Sequence, residues 1–294
     1  MNIRPSPIAG SWYPANPRQL TAMLEDYLSH ADVPACPGKI WGVVAPHAGY
    51  YFSGQVAAYA FKCLAGLHPD LIVIVSPMHQ LHDAPLLTSR HDAYQTPLGL
   101  VEVDRDAIAA VNHALRDHTP YELTPISADQ EHAVEIELPF LQHILTSFRL
   151  LPIMIRAQEP AGSRALGQAL AQALGNRQAL FVASSDLSHF YPHNLAQVFD
   201  HELLRRLEAF DPGGVLSADE EGIGFACGRG AIAAVLWATR QLGANHVTIL
   251  HHATSGDVSG RRASVVGYGA ALIWQNGQNS QRKTYEHTPN TTHD

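Results

Sequence analysis

Ile40-Trp41-Gly42-Val43-Val44-Ala45-Pro46-His47-Ala48-Gly49-Tyr50 is the stretch whose reading decides the fold. A short apolar run rich in β-branched residues predicts a buried strand. Pro46 ends it, because proline cannot donate to a sheet ladder. His47 is thereby set at the strand's C-terminal end, ahead of a helix expected over Ser53 to Leu67. In an open α/β sheet that edge is where ligands bind.

The pattern recurs twice. Leu71-Ile72-Val73-Ile74-Val75-Ser76-Pro77-Met78-His79 is a second apolar run ending in proline and histidine. Ala179-Leu180-Phe181-Val182-Ala183-Ser184-Ser185-Asp186-Leu187-Ser188-His189 is a third, ending in an aspartate and a histidine. Three strands delivering imidazoles and a carboxylate to one sheet edge make a site hypothesis. The chain carries 18 histidines, so position rather than residue type singles out His47, His79 and His189. His68, His82, His91, His113, His118, His143 and His201 are assigned to surfaces or loops.

Strand and helix patterns alternate from there. Helices are expected from Pro17, after the Asp104 cap, over Ala161 to Leu174, over Asn194 to Ala209 and over Ala231 to Leu242. Further strands are expected at Leu150–Ile155, Val247–Leu250 and Ser264–Trp274, and a hairpin or sheet excursion within Leu86–Val103. Asp129 is read as opening another helix, with His132 and Glu135 on one face. Ala253 to Gly260 reads as a polar loop. Ser11-Trp12-Tyr13-Pro14 reads as a hydrophobic plug on the core. The fold class is therefore α/β: a single domain over residues 1–275, with a central mostly parallel or mixed sheet and helices on both faces. From Asn276 the chain turns polar and aperiodic, so 276–294 is expected to be a disordered tail.

Composition narrows the function classes. A net charge of -8 argues against nucleic acid, and no run is apolar enough to span a membrane. Residues 1–7 lack the apolar core of a signal peptide. Cys36, Cys63 and Cys227 have neither disulfide nor CxxC spacing, and a cytoplasmic location is expected. GxSxG and HExxH are absent, and the Ser184–His189 segment is too local to assemble a triad. Cys227, between glycines at a helix start and near Arg229, is expected to favour the thiolate.

Two histidines plus one anionic donor suit a redox metal such as Fe(II). His47 and His79 form the pair, and Cys227 or Asp186 supplies the third ligand. Imidazole with thiolate also accepts Zn or Cu. His189 and His132 remain as acid–base groups.

The ordered set Ala45–Tyr50, Ser76–His79, Asp129–Pro139, Ser184–His189 and Cys227-Gly228-Arg229, with the opening Arg4–Pro14, resembles the Memo family over about residues 4–274. Its bacterial and archaeal branch is called AmmeMemoRadiSam system protein B. Met78 stands where relatives usually carry a small or polar residue. The family in turn resembles extradiol ring-cleaving dioxygenases, whose non-haem Fe(II) is held by two histidines and a glutamate. The resemblance implies His47, His79 and Cys227 as metal ligands, with Asp186, His189 and His132 in the surrounding pocket as candidate catalytic groups. It implies Fe(II), with Cu or Zn as alternatives, and partners of AMMECR and radical SAM type beside a small-molecule or peptide ligand. Two functions follow as expectations: a metal-dependent oxidoreductase, or a metal- or partner-binding protein that keeps a relic pocket without turnover.

Overall fold

The computed structural model describes residues 1–127 and 129–277. The expected tail therefore lies outside the described residues, apart from Asn276 and Gly277.

Apolar β-branched runs form the heart of the sheet. In chain order the strands are β1 (Ile3–Arg4), β2 (Lys39–Ala45), β3 (Leu71–Pro77), β4 (Leu86–Ser89), β5 (Ala93–Thr96) and β6 (Gly99–Glu102). They continue as β7 (Thr124–Ile126), β8 (Arg149–Ile155), β9 (Ala179–Ser184), β10 (His189–Tyr191), β11 (His246–Thr254) and β12 (Val265–Gln275). The main sheet runs β10-β12-β2-β9-β3-β8-β4-β7, with β11 also paired to β12. β2, β9, β3 and β8 are mutually parallel, and β12 and β4 flank them antiparallel. The sheet is mixed around a parallel centre. The excursion after His79 supplies β4 and then the hairpin β5–β6, which joins β1 in a small second sheet.

Strand periodicity divides the interior in two. Leu71, Val73 and Val75 point into one apolar core, packed with the helices Pro160–Leu174 and Arg229–Leu242. Ile72 and Ile74 point into the other, with the helices Pro17–His30 and Tyr50–Lys62. Both faces are covered, which is why these strands read as continuous apolar runs rather than alternating ones. The parallel arrangement also aligns the C-terminal ends of β2, β9 and β3 as neighbours, and that alignment builds the site.

Three local expectations are corrected. Residues 129–134 are not helical; a single 3-10 turn (Glu135–Glu137) precedes the helix Leu138–Ile144. The carboxylates of Asp129 and Glu131 are drawn inward by Arg4, His79 and main-chain N–H groups instead of capping a helix. His132 and Glu135 consequently share no helix face, and Glu135 is buried against Arg4, Ser6 and Tyr13. The polar link at 253–260 contains the short helix Ser255–Ser259, closed by a Thr254–Asp257 capping box. His91 lies in the loop between β4 and β5, in keeping with its assignment to a surface or loop, and is buried there with a bond to Asn2. The helix Pro212–Glu220 was readable from Asp211 as its cap and Pro212 in its first turn.

Candidate metal centre

β2 delivers His47, β3 delivers His79 and β9 leads into Asp186 and His189, so one sheet edge receives all four. The helix Arg229–Leu242 begins beneath this edge and brings Cys227 with it. Gly228 permits the approach: a Cβ there would lie 2.5 Å from the Ser184 carbonyl oxygen. The Cys227 Sγ sits 3.1 Å from His47 Nε2. The ligand atoms of His47, His79 and Cys227 all lie within 4.8 Å of one another.

The hydrogen bonds around the two imidazoles fix their tautomers. Ser184 donates its hydroxyl to the Ala133 carbonyl at 2.8 Å, so His47 Nδ1–H must donate to Ser184 Oγ, at 2.9 Å. Nε2 is left with its lone pair toward Cys227. His79 Nδ1 donates to the Glu131 carboxylate at 3.0 Å, which directs its Nε2 outward in the same way. Such carboxylate– and hydroxyl–histidine pairs are the usual outer support of metal-ligating imidazoles. Glu131 also accepts the main-chain N–H groups of His79, His132 and Ala133. Burial would raise its pKa, but the bond to His79 and the nearby imidazoles outweigh this and hold it down, at about 2. His79 is raised in turn: burial lowers it, and the Glu131 bond and charge overcome that.

Asp186 does not join this donor cluster. Its Oδ1 accepts the N–H groups of His47 (2.8 Å) and Ala48 (3.3 Å), which fastens β9 to the turn after β2. Burial pushes its pKa up to about 7, against the pull of those two N–H groups. Among the described residues the second group of convergent donors is His79, Glu131 and His132.

A cleft of about 480 Å³ opens over the cluster, walled by Trp12, His79, His132, Asp186 and His189 with Tyr51 and Phe52 at its mouth. Trp12 packs against the core beside the buried Tyr13, as expected of a plug, and its ring also lies tilted against His132, 4.2 Å between ring centres, so it forms part of the site as well. His132 in turn stacks on His79 at 4.7 Å. Burial and the neighbouring His79 take the His132 pKa down to about 4, leaving it neutral. His189 donates Nδ1–H to the Leu187 carbonyl at 2.8 Å, and burial lowers its pKa. His47 is lowered well below the usual histidine value, by burial and by His132 and His79.

The expected thiolate at Cys227 is corrected. Burial and then the Asp186 carboxylate raise its pKa, so the thiol keeps its proton in the metal-free protein. Arg229, invoked to lower it, pairs instead with Asp219 at 3.3 Å. A cation bound by the two Nε2 atoms would reverse this balance, because a coordinated thiol is deprotonated outright. Two imidazoles oriented through their Nδ1 hydrogen bonds and one half-buried thiol form a donor set that fits Fe(II), Zn or Cu(I). Sequence reasoning missed Glu131, Ser184 and Trp12 as supporting residues. Glu131, two residues after Asp129 in an acidic run, looked like a helix-start residue and gave no sign of its partner.

The chain matches the family model described as Memo-like protein over residues 4–272. It is 34% identical over 284 residues to a MEMO1 family protein of Pyrobaculum aerophilum, covering 94% of this chain and 100% of that relative. A MEMO1 family protein of Methanopyrus kandleri is 36% identical over 281 residues, covering 92% and 98%. One of Nitrosopumilus maritimus is 35% identical over 274 residues, covering 91% and 98%. A match over nearly the whole chain, with relatives at 34–36% identity, establishes that the chain belongs to the Memo family.

Proposed function

We propose that the chain is a metal-binding, dioxygenase-like protein in which His47 Nε2, His79 Nε2 and Cys227 Sγ hold one ion. The convergence of these three donors with both imidazole tautomers fixed carries this reading. Fe(II) is the preferred ion by resemblance to the extradiol dioxygenases, and the soft thiolate widens the choice to Cu(I) and Zn. Bound there, such an ion would supply Lewis-acid or redox chemistry facing the cleft. His189, Asp186 and His132 line that cleft; Asp186, raised to about 7, suits proton transfer near neutrality, while burial favours neutral imidazoles at His132 and His189 that can accept a proton. Trp12, Tyr51 and Phe52 supply an aromatic wall on which an apolar part of a ligand could rest. The resemblance supports a small-molecule or peptide ligand and a pathway shared with AMMECR-type and radical SAM proteins. Three free cysteines, the proposed ligand Cys227 among them, suit a reducing cytoplasm.

A second reading, a metal- or partner-binding protein without turnover, is favoured by one observation: a thiol occupies the position where the dioxygenases carry a carboxylate. Metal content and competitive affinity after anaerobic purification test the site. Cys227→Ala should lose most of the affinity, Cys63→Ala should keep it, and Cys227→Glu should shift preference toward Fe(II). Full affinity in Cys227→Ala would remove the thiol from the ligand set.

A further inference from the structure

The opposite end of the sheet carries a second and larger cavity. About 640 Å³ in volume, it lies where β2 and β9 begin, remote from the histidine cluster at their C-terminal ends. Its apolar floor is made by Ile40, Leu67, Ala179 and Leu180, the last two buried. Its size falls in the range of small-molecule sites. Cys36 and Cys63 line it as well, both with free thiols.

The charge of the lining departs from that of the chain. Acidic residues outnumber lysine and arginine 27 to 19 overall, yet the wall holds Lys39, Lys62 and Arg177 and no carboxylate. Arg177 is engaged with Asp104 at 2.9 Å. The two ammonium groups have no carboxylate within ion-pair distance among the described residues. Lys62 Nζ gives one of its three donors to the Ala31 carbonyl, at 2.6 Å. Lys39 Nζ lies over the Trp41 ring at 3.5 Å from its centre. Partial burial without an anion lowers the Lys39 pKa, the mark of an ammonium short of a counter-charge.

We propose that this cavity binds an amphiphilic monocarboxylate, its head group between Lys39 and Lys62 and its apolar body on the Ile40–Leu180 floor. A bare phosphate would use the two cations and leave the floor wet. A neutral lipid-like molecule would cover the floor and leave both ammonium groups without a counter-charge. Only a ligand with both parts matches the wall. The inference is independent of the metal reading, since no residue is shared between the two cavities.

Calorimetric titration of the full chain with octanoate, acetate and octyl glucoside tests it. Octanoate should bind one to one, and acetate and octyl glucoside should not saturate. Lys39→Gln and Lys62→Gln should each weaken octanoate about tenfold, as the loss of one charge-assisted hydrogen bond predicts. His47→Ala should leave octanoate binding unchanged. In the wild type, octanoate should slow alkylation of Cys36 and Cys63 by a maleimide, and acetate should not. Binding of octyl glucoside as tight as octanoate, or indifference to both lysine substitutions, would reduce the cavity to an apolar adhesive surface and overturn the proposal. Loss of octanoate binding in His47→Ala would place the ligand in the histidine cleft and overturn it equally.

Discussion

The Arg4 guanidinium donates to the main-chain carbonyl of Glu131, and the Glu131 carboxylate holds His79. The first strand of the chain thus fixes the loop that orients a candidate ligand on another strand. Arg4 is only 2% exposed and pairs with Asp129 at 2.7 Å and Glu135 at 2.6 Å. Arg4→Met would leave two buried carboxylates without their cation. The expected loss is about 3–5 kcal/mol in urea unfolding, the range for breaking a buried pair from one side.

Glu131→Gln keeps the size of the side chain and removes the charge that draws the His79 Nδ1 proton. Metal affinity should fall about 10–100-fold, as for other outer-sphere substitutions. Competition with a chromophoric chelator measures it. Unchanged affinity would show that His79 needs no such support.

Gly228→Ala should displace Cys227. The new methyl would meet the Ser184 carbonyl oxygen at 2.5 Å and the Ser185 Cβ at 2.8 Å, both set by β9. Overpacking of this kind costs about 1–3 kcal/mol. The thermal midpoint should drop, and alkylation of Cys227 should accelerate as its buried contact with His47 opens.

Glu137 gives a pH signature. It is 1% exposed, its Oε1 has no partner, and burial holds its pKa well above the usual carboxylate range. A folded-state pKa above the unfolded value means stability present at low pH and lost as pH rises past about 4.5. In metal-free protein, Glu137→Gln should therefore gain on wild type by about 1.4 kcal/mol per pH unit, until the folded carboxyl ionises. Urea unfolding at pH 5, 6 and 7 checks the trend. Parallel curves would mean that Glu137 is ionised in the fold.

Much of the site was legible because β2, β3 and β9 are buried on both faces. Continuous apolar runs have only one reading, and the residues just after them fall at the strands' C-terminal edge. That logic placed His47, His79, Asp186 and His189, and the mixed α/β sheet with them. The loop carrying Glu131 and His132 was not legible. Its acids match a helix start, and what decides their conformation is Arg4, 125 residues away from Asp129 in sequence. The charge state of Cys227 failed for a similar reason. Arg229 is near it in sequence but is turned toward Asp219, and local spacing carries no record of that choice.

The place of β12 has a consequence for how the chain is made. β2 is synthesised early, yet it is flanked by β9 on one side and by β12, at the end of the described chain, on the other. Translation at about 5–20 residues per second leaves roughly 10–40 s between the two strands. Throughout that interval β2 carries an open, apolar edge of the kind that recruits other chains. The groups that surround His47, Ser184, Asp186 and Cys227 among them, are all made before β12, so the donor cluster is complete in sequence before this edge is covered. The strand that closes the sheet beside the site is thus the last of the described strands to be made.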